Sequence, residues 1–230
     1  ADVFDLDAAV EVCVAPDTRP AATEIVDSIE RLIDRSLVAT IDRGARTELR
    51  LLGLIREFAA ERAIGSPEAG LIRLRHARHF LKVAETAAAT LDGPHQLDAL
   101  AELDRIADDI RAALGWLLAD STQSVDEGDH LALRTSVALG RAWYLHGRAR
   151  EAVDYLDRAL AVDTSAPPEL IADALHLSGV MHDELRDPAV ARERLEASLA
   201  LQRSIGNGRR IARELNSLGV VARNSGDTDR

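Results

Sequence analysis

The second half of the chain repeats a pattern of small and apolar residues. Gly140, Gly179 and Gly219 are separated by 39 and 40 residues. A glycine inside a helix costs roughly 1 kcal/mol relative to alanine, so its recurrence at one phase indicates that two helices approach closely there. The other positions that match in register are Gly147, Ala152, Leu156, Ala159 and Leu160 in the first unit, Arg186, Ala191, Leu195, Ser198 and Leu199 in the second, and Leu218, Gly226 and Asp227 in the third.

We expect each unit to fold into two antiparallel helices. Gly140 and Ala152 are expected to lie where the helices of one pair meet, and Leu156 and Leu160 to seal the contact between pairs. The pattern resembles the tetratricopeptide repeat, whose unit of about 34 residues has small and aromatic residues at similar offsets. The resemblance predicts a helical repeat array over residues 129–230, with a truncated third copy. The alternative is an ordinary helical bundle with an accidental internal similarity.

The N-terminal third follows a different pattern, in which helical spacing of apolar residues gives way to two short strand candidates. The turn-like Asp42, Arg43 and Gly44 lie between those strands and predict a hairpin. Helix, helix, hairpin and helix is the order of a small winged-helix domain, which we expect at residues 1–64. The predicted elements are helices at 5–14 and 25–37, strands at 37–41 and 48–52, and a helix at 54–63.

Residues 65–128 are expected to form a linking helical hairpin. Its first helix is predicted at 71–90 and its second from 95 to about 120, because apolar residues recur there at helical spacing. Residues 121–129 are polar and are predicted to be a flexible loop. The apolar stripes are Leu74, Ala77, Phe80, Leu81 and Ala84 in the first helix, and Leu97, Leu100, Leu103, Ala107, Ile110, Leu114 and Leu117 in the second.

The composition favours helices and argues against nucleic acid as a direct partner. Ala, Leu, Arg and Glu dominate, and aromatic residues make up only 3%. A net charge of -11 disfavours binding to phosphates, which supply most non-specific affinity for DNA. The single cysteine, Cys13, forms no internal disulfide, and the sequence has neither a signal peptide nor an apolar run of about 18 residues. We expect a cytoplasmic protein without membrane contacts.

Five segments, in this order, resemble consecutive signatures of bacterial STAND-type regulators: FDLDAAVEVC, IVDSIERLIDRSLV, ELRLLGLIREFAAER, RLRHARHFLKVAETA and RIADDIRAALGWLL. Those regulators are large signal-transduction ATPases, many of them LuxR-type or related transcriptional regulators. The resemblance implies an NB-ARC-like nucleotide-binding module upstream, followed by a winged-helix domain and a tetratricopeptide arm that senses an inducer or partner. It implies that this chain is part of a longer bacterial protein, which could carry a DNA-binding domain at either end.

Nucleotide chemistry is not expected of the chain itself. A P-loop requires the string G-x-x-x-x-G-K-[ST], and the sequence contains none. The resemblance places Leu51, Leu52 and Gly53 where the family's winged helix often has Met, His and Asp, of which the histidine reads the nucleotide's phosphate. Because leucine donates no hydrogen bond, we expect no nucleotide sensing, no cofactor, and a core position for Leu52. Arg56 and Glu57 match the flanking polar positions of the family. The preferred interpretation is that they are simply two exposed residues on the surface of the helix.

No catalytic or metal site is predicted. His76 and His79 stand three residues apart and could present two imidazoles to a metal, but no further Cys or His pair follows at ligand spacing. Their expected roles are packing and surface hydrogen bonding. Cys13 has no candidate histidine near it in the sequence. We therefore expect a protein that is not an enzyme.

Two functions remain open. The first is the non-catalytic regulatory arm of a STAND-type ATPase, in which the repeats bind a partner and relay this to the upstream nucleotide switch. The second is a free-standing DNA-binding regulator, whose winged helix contacts an operator while the repeats dimerise. The helix at 25–37 would be its recognition helix, but carboxylates on its polar face would repel phosphates. Those polar residues are Glu24, Asp27, Glu30 and Asp34, against Arg31 and Arg35.

The repeat register also predicts a partner-binding groove. In tetratricopeptide arrays the exposed face of the first helix of each pair lines a concave surface, which here would be basic, acidic and basic in succession. That order suits an extended peptide or protein segment, and the alternative is a solvated face. The third copy is expected either to fray or to associate with a second molecule. The groove residues are Arg134, Arg141 and Tyr144 with Val137 and Leu145, then Asp173, His176, Asp183 and Glu184 with Val180, then Arg213, Asn216, Arg223 and Asn224 with Val220.

Overall fold

Helix-forming residues dominate the sequence, and the chain is mostly helical as predicted. The computed structural model describes residues 3–14, 22–42, 47–63, 66, 68–119 and 128–226. Among these residues, no helix is both long and apolar enough to cross a membrane. The described elements are strands β1 (Val3–Phe4), β2 (Val38–Asp42) and β3 (Thr47–Leu51), and helices α1 (Leu6–Cys13), α2 (Ala22–Asp34), α3 (Gly53–Ala63), α4 (Ala69–Ala88), α5 (Gln96–Arg105), α6 (Ala107–Leu117), α7 (Leu131–Leu145), α8 (Ala149–Val162), α9 (Pro168–Glu184), α10 (Pro188–Ile205) and α11 (Gly208–Ser225).

The first of two compact units comprises residues 1–80 and 108–113 and contains a small sheet. Strand β3 lies in the middle and pairs antiparallel with β1 and β2. The β2–β3 pair confirms the predicted hairpin, with Val38 opposite Leu51. Part of the predicted turn falls on residues 43–46, which lie outside the described residues, as does most of the predicted loop at 121–129.

Helix α2 packs its apolar face against this sheet. Ile29 of α2 forms a buried cluster with Val38 and Leu49 of the strands. The apolar residues of α2 recur every three or four positions, which places them on one face of the helix and confirms the face predicted from the sequence. The partly buried residues around the cluster are Phe4, Ala9, Ile25, Leu32, Ile33 and Leu51.

Leu52 is not the core residue that the sequence predicted. Its side chain is 46% exposed, whereas the preceding Leu51 packs against the core of the sheet. The Leu52 carbonyl accepts a hydrogen bond of 2.9 Å from the amide of Arg56. The chain therefore changes from strand to helix at this residue, and Leu52 falls outside the alternation that turns Leu49 and Leu51 inward.

The helix predicted from residue 95 to about 120 is in fact two helices, α5 and α6. They are separated by Ile106, whose side chain is completely buried and whose amide bonds the carbonyl of Glu102 at 3.2 Å. At the start of α5, Leu97 is 79% exposed while Ala99 is buried, so the predicted apolar stripe is wrong at Leu97. It is correct at Leu103, Ile110, Leu114 and Leu117, which are all buried.

The second unit comprises residues 81–107 and 114–230 and contains the repeated part of the chain. Helix α7 packs against α8, α9 against α10, and α11 against α10, while α9 also contacts α7 and α8. The residues that match between the units face these contacts. Completely buried positions are Ala152, Leu156 and Ala159 in the first pair, and Ala191, Leu195 and Ser198 in the second.

The turns after α7, α9 and α11 share one backbone conformation. Gly147, Arg186 and Gly226 occupy the same register position, and their φ angles are 64°, 63° and 77°. After α7, the Arg148 amide bonds the Trp143 carbonyl at 2.8 Å, and after α9 the Asp187 amide bonds the His182 carbonyl at 2.9 Å. Two of the three positions carry glycine, which adopts a positive φ without steric cost. Arg186 adopts the same conformation, but its Cβ makes that conformation sterically unfavourable.

The three repeated glycines have different surroundings. A Cβ added to Gly140 would collide with the Leu177 side chain on α9. The tightest neighbour of Gly140 therefore belongs to the next helix pair, whereas the sequence predicted a close approach to Ala152 within the same pair. A Cβ on Gly179 would lie 2.7 Å from Leu195 Cγ, and one on Gly219 would have no neighbour within 4 Å. The close approach within one helix pair is therefore found at Gly179.

Candidate functional site

The predicted groove residues lie on α7, α9 and α11, the first helices of the successive pairs. Their exposure differs from one residue to the next. Those that are exposed are Arg141, Tyr144, Glu184, Asn216, Arg223 and Asn224, and those that are partly buried are Arg134, Asp173, His176, Asp183 and Arg213.

Asp173 of α9 accepts hydrogen bonds from two arginines of α11. Arg213 Nη2 lies 3.2 Å from Asp173 Oδ1, and Arg210 donates to the same oxygen. The hydrogen bond to Asp173 raises the pKa of Arg210, although burial acts in the opposite direction. Asp173 and Arg213 are register equivalents 40 residues apart, so opposite charges meet at one position of neighbouring units.

Glu214, which the sequence did not indicate, is the buried centre of this network. Its side chain is 0% exposed, and its two carboxylate oxygens lie 2.7 Å from His176 Nδ1 and 2.9 Å from Arg213 Nη2. Burial by itself would raise the pKa of Glu214, but the hydrogen bonds and charges of His176 and Arg213 outweigh it and the pKa is lowered. We call Asp173, His176, Arg210, Arg213 and Glu214 the α9–α11 seam.

A further contact extends the pairing of α9 with α11. Asn224 Nδ2 donates to Asp183 Oδ2 at 2.8 Å. Two of the residues predicted for the second copy, Asp173 and Asp183, therefore bind Arg213 and Asn224 of the third copy. Between α9 and α11 the predicted groove is a helix contact stabilised by charge, and less of it is open to a partner than the sequence indicated.

The α7 part of the predicted groove presents more open surface. Arg134 pairs with Glu85 at 2.7 Å and Arg141 with Asp92 at 3.3 Å, and exposed pairs of this kind contribute little to stability. Tyr144 is 41% exposed and Leu145 37%, and the Arg141 guanidinium lies 5.7 Å from the Tyr144 ring centre. Tyrosine and arginine are enriched among residues that dominate protein–protein binding energy.

A second polar cluster, also missed from the sequence, joins α8, α9 and α10. Ser178 Oγ donates to Asp157 Oδ1 at 2.8 Å, and His182 Nε2 and Arg194 Nη2 lie 3.4 and 3.6 Å from the same carboxylate group. The register equivalent of Asp157 is Glu196, which is exposed. The repeat pattern therefore carried no signal for this cluster, which fixes the positions of three helices.

The two histidines considered as metal ligands pack against one aromatic ring. His76 and His79 lie 4.6 and 4.9 Å from the Phe80 ring, measured between centroids. His76 Nε2 is also 3.2 Å from Asp109 Oδ1. The predicted packing role is confirmed, and no group of three or more potential metal ligands occurs in the part of the chain that the structure describes.

The polar face of α2 is exposed and predominantly acidic. Arg31 bonds Ser28 within the helix at 2.9 Å. The exposed carboxylates are those of Glu24, Asp27, Glu30 and Asp34. This surface is poorly suited to lie against DNA phosphates.

Comparison with known proteins finds no matching family model. Similar curated proteins are named as proposed HTH-type transcriptional regulators, one from Mycobacterium bovis and two from strains of Mycobacterium tuberculosis. Each is 28% identical over 230 aligned positions, which cover 94% of this chain and 24% of the relative. The chain thus spans about a quarter of the length of the curated relatives it matches.

Proposed function

We propose that this chain is the non-catalytic regulatory and sensor arm of a STAND-type ATPase transcriptional regulator. In this proposal, residues 129–230 form a tetratricopeptide-like array that binds a protein, peptide or inducer. Residues 1–64 form a winged-helix domain that relays the binding event to an upstream NB-ARC-like nucleotide switch. The observation that carries the proposal is the similarity of 94% of this chain to one quarter of much longer transcriptional regulators.

The architecture supports the finer parts of this assignment. In the first unit, two helices, a hairpin and a further helix follow in the order expected of a winged helix, with β1 as a third strand. In the second unit, left-handed turns at equivalent positions after α7, α9 and α11 support a true repeat over an accidental similarity. Repeats of this kind contact mainly their neighbours and present an extended surface for partners.

The surface we assign to the partner is the exposed face of α7. It presents Tyr144 and Leu145 beside the guanidinium of Arg141, which suits a peptide or protein segment with an apolar side chain and an acceptor. The α9–α11 seam would stabilise the packing of α9 against α11 and would not itself contact the partner. In a reporter assay with the regulator that contains this chain, Tyr144→Ala should reduce the response to inducer.

The matched control is Arg158→Ala on α8, which removes an exposed pair of 3.1 Å with Asp154. It should leave the response unchanged. An equal loss in both variants, or no loss with Tyr144→Ala, would remove the assignment of the α7 face.

Nucleotide binding separates the arm from the switch. Since the sequence has no P-loop, we expect titration calorimetry of the isolated chain to detect no ATP or ADP binding tighter than about 100 μM. Clear binding in that range would mean that the chain holds a nucleotide site of its own.

DNA binding separates the proposal from the free-standing regulator. Fluorescence anisotropy with duplex DNA at about 0.1 M salt should give no specific complex, because the exposed face of α2 is acidic. Sequence-specific binding that is abolished by Arg31→Ala and Arg35→Ala would favour the winged-helix DNA-binding alternative.

A further inference from the structure

The first unit contains a cavity of about 220 Å³. None of the residues that line it belongs to the α7 surface that we assign to a partner. Most of its wall is apolar. Phe4 and Leu51 of the strands, Ala8, Ala9 and Val12 of α1, and Phe80 of α4 line it. An apolar cavity of about 150 Å³ is large enough to bind benzene, so this one has room for a single substituted ring or two fused rings.

The remaining wall of the cavity is polar and is built around a buried carboxylate. The Asp109 side chain is 7% exposed and lies 3.2 Å from His76 Nε2. His76 in turn packs against the Phe80 ring, 4.6 Å away and tilted by 52°. A carboxyl group has more than one acceptor site, so Asp109 can accept a hydrogen bond from a ligand in addition to the contacts with its protein partners.

These walls define the chemistry of a ligand. The apolar side favours a flat hydrocarbon portion, which gains from leaving water. The carboxylate favours a hydrogen-bond donor on that portion and disfavours a second carboxylate, because like charges at short range repel each other. The match is an aromatic ring that carries a hydroxyl or an N–H group.

We propose that this cavity is a binding site for a small aromatic compound with one hydrogen-bond donor, held by the apolar wall and by Asp109. This binding site goes beyond the function proposed for the repeats, because partner binding by the repeats involves neither the cavity nor its ligand. A small molecule here would connect α1, the sheet, α4 and α6 within one unit.

The chain provides its own reporter of occupancy. Cys13, which is the single cysteine of the sequence, lines the cavity. The Cys13 side chain is exposed to solvent, although desolvation by neighbouring protein atoms raises the pKa of its thiol and the nearby Arg75 charge lowers it. A bound ligand should slow the reaction of this thiol with a disulfide reagent such as dithionitrobenzoate.

The experiment uses the intact chain and three probes of similar size, which are phenol, toluene and benzoate. Phenol should protect Cys13 and give saturation-transfer NMR signals, with a dissociation constant on the order of 1 mM. Toluene should bind about tenfold more weakly, because it lacks the donor, and benzoate should not bind. If phenol neither protects the thiol nor gives a signal, the site does not exist. If toluene equals phenol, or if benzoate binds, the role of Asp109 is wrong.

Two variants test the location. Ala9→Leu places a larger side chain in the cavity and should weaken phenol at least tenfold, while Ala60→Leu, at an exposed position of α3, should not. Asp109→Asn should reduce the preference for phenol over toluene. If Ala9→Leu lowers the melting temperature strongly, the cavity can be filled instead by Cys13→Trp, because Cys13 is at an exposed position of the wall. Phenol binding to that variant is measured by NMR, since the variant lacks the thiol. Unchanged phenol affinity in a folded, filled variant would overturn the proposal.

Discussion

Gly179 of α9 lies so close to Leu195 of α10 that a single added methyl group would have no room. A Cβ on Gly179 would be 2.7 Å from Leu195 Cγ and 3.1 Å from the Ala191 carbonyl oxygen. Neither neighbour moves easily, because one is the branch point of a buried side chain and the other is backbone. The repeated glycine therefore has a packing role here that its register equivalent Gly219, with no neighbour within 4 Å, does not share.

This contrast predicts opposite effects of the same substitution. Gly179→Ala should lower the free energy of unfolding by about 1–3 kcal/mol, because overpacking outweighs the better helix propensity of alanine. Gly219→Ala should raise it by up to about 1 kcal/mol, because only the propensity changes. Urea unfolding of the two variants checks both values. The same sign in both would mean that the α9–α10 contact is looser than described.

Arg186 is the one non-glycine residue at the repeated left-handed turn position, and its φ angle is 63°. Arg186→Gly should therefore stabilise the chain by about 1 kcal/mol, because glycine adopts this conformation without strain. Arg203→Gly removes the same charge at an exposed site within α10 and should destabilise by about 1 kcal/mol. The measurement is the melting temperature. If Arg186→Gly melted at a lower temperature than the parent, the backbone at residue 186 would not be strained by its side chain.

Gln202 is completely buried on α10, and neither polar atom of its side chain has a hydrogen-bond partner among the described residues. An unpaired buried amide costs about 1–3 kcal/mol. Replacement by the similarly shaped but apolar Met, in Gln202→Met, should therefore raise the free energy of unfolding. Gln96→Met should lower it, because Gln96 Nε2 donates to the Leu91 carbonyl at 2.7 Å. A loss of stability in Gln202→Met would indicate a buried water bound to the amide.

The α9–α11 seam makes stability depend on pH through Glu214. Its folded-state pKa lies below the ordinary value of 4.5, so the unfolded chain binds the proton more tightly. The contribution is fully present above the unfolded-state value and is lost as the pH falls through the folded-state pKa. The stability difference between the parent and Glu214→Gln should be about 1–3 kcal/mol at neutral pH and should shrink as the pH falls below 4.5.

The control for this experiment is Glu196→Gln, which removes one negative charge at an exposed position of α10. It should show no such convergence with the parent in urea titrations. If Glu214→Gln matched the parent at neutral pH, the seam would not stabilise the array.

Periodicity predicted the elements that bury one face of a regular helix or strand. The stripe of Leu74, Ala77 and Phe80 is buried as expected, and so are the matched positions of the repeat. Strand β1 was missed because two residues are too few to show alternation. Leu97 was wrongly assigned to the core because it has the same helical spacing as the buried leucines. Spacing alone does not show where along a helix the buried stripe begins.

The polar contacts could not be read from the sequence for a different reason. Glu214 and Arg210 look like ordinary surface charges along α11, and their burial depends on how closely α9 packs. A pair such as His176 and Glu214 is 38 residues apart, and periodicity within a helix contains no information on it. The residues predicted to form a groove fall on α7, α9 and α11, but which of them are exposed and which are paired could be seen only in the packed structure.

Charged pairs between helices also limit the order in which the units can follow each other. Glu85 of α4, Arg134 of α7, Asp173 of α9 and Arg213 of α11 alternate in sign, and they form the pairs Glu85–Arg134 and Asp173–Arg213. If a genetic duplication copied α9 into the place of α11, two aspartates would face each other at one contact. Neighbouring units are therefore not interchangeable at this contact, because a copy of α9 would lack the arginine that pairs with Asp173.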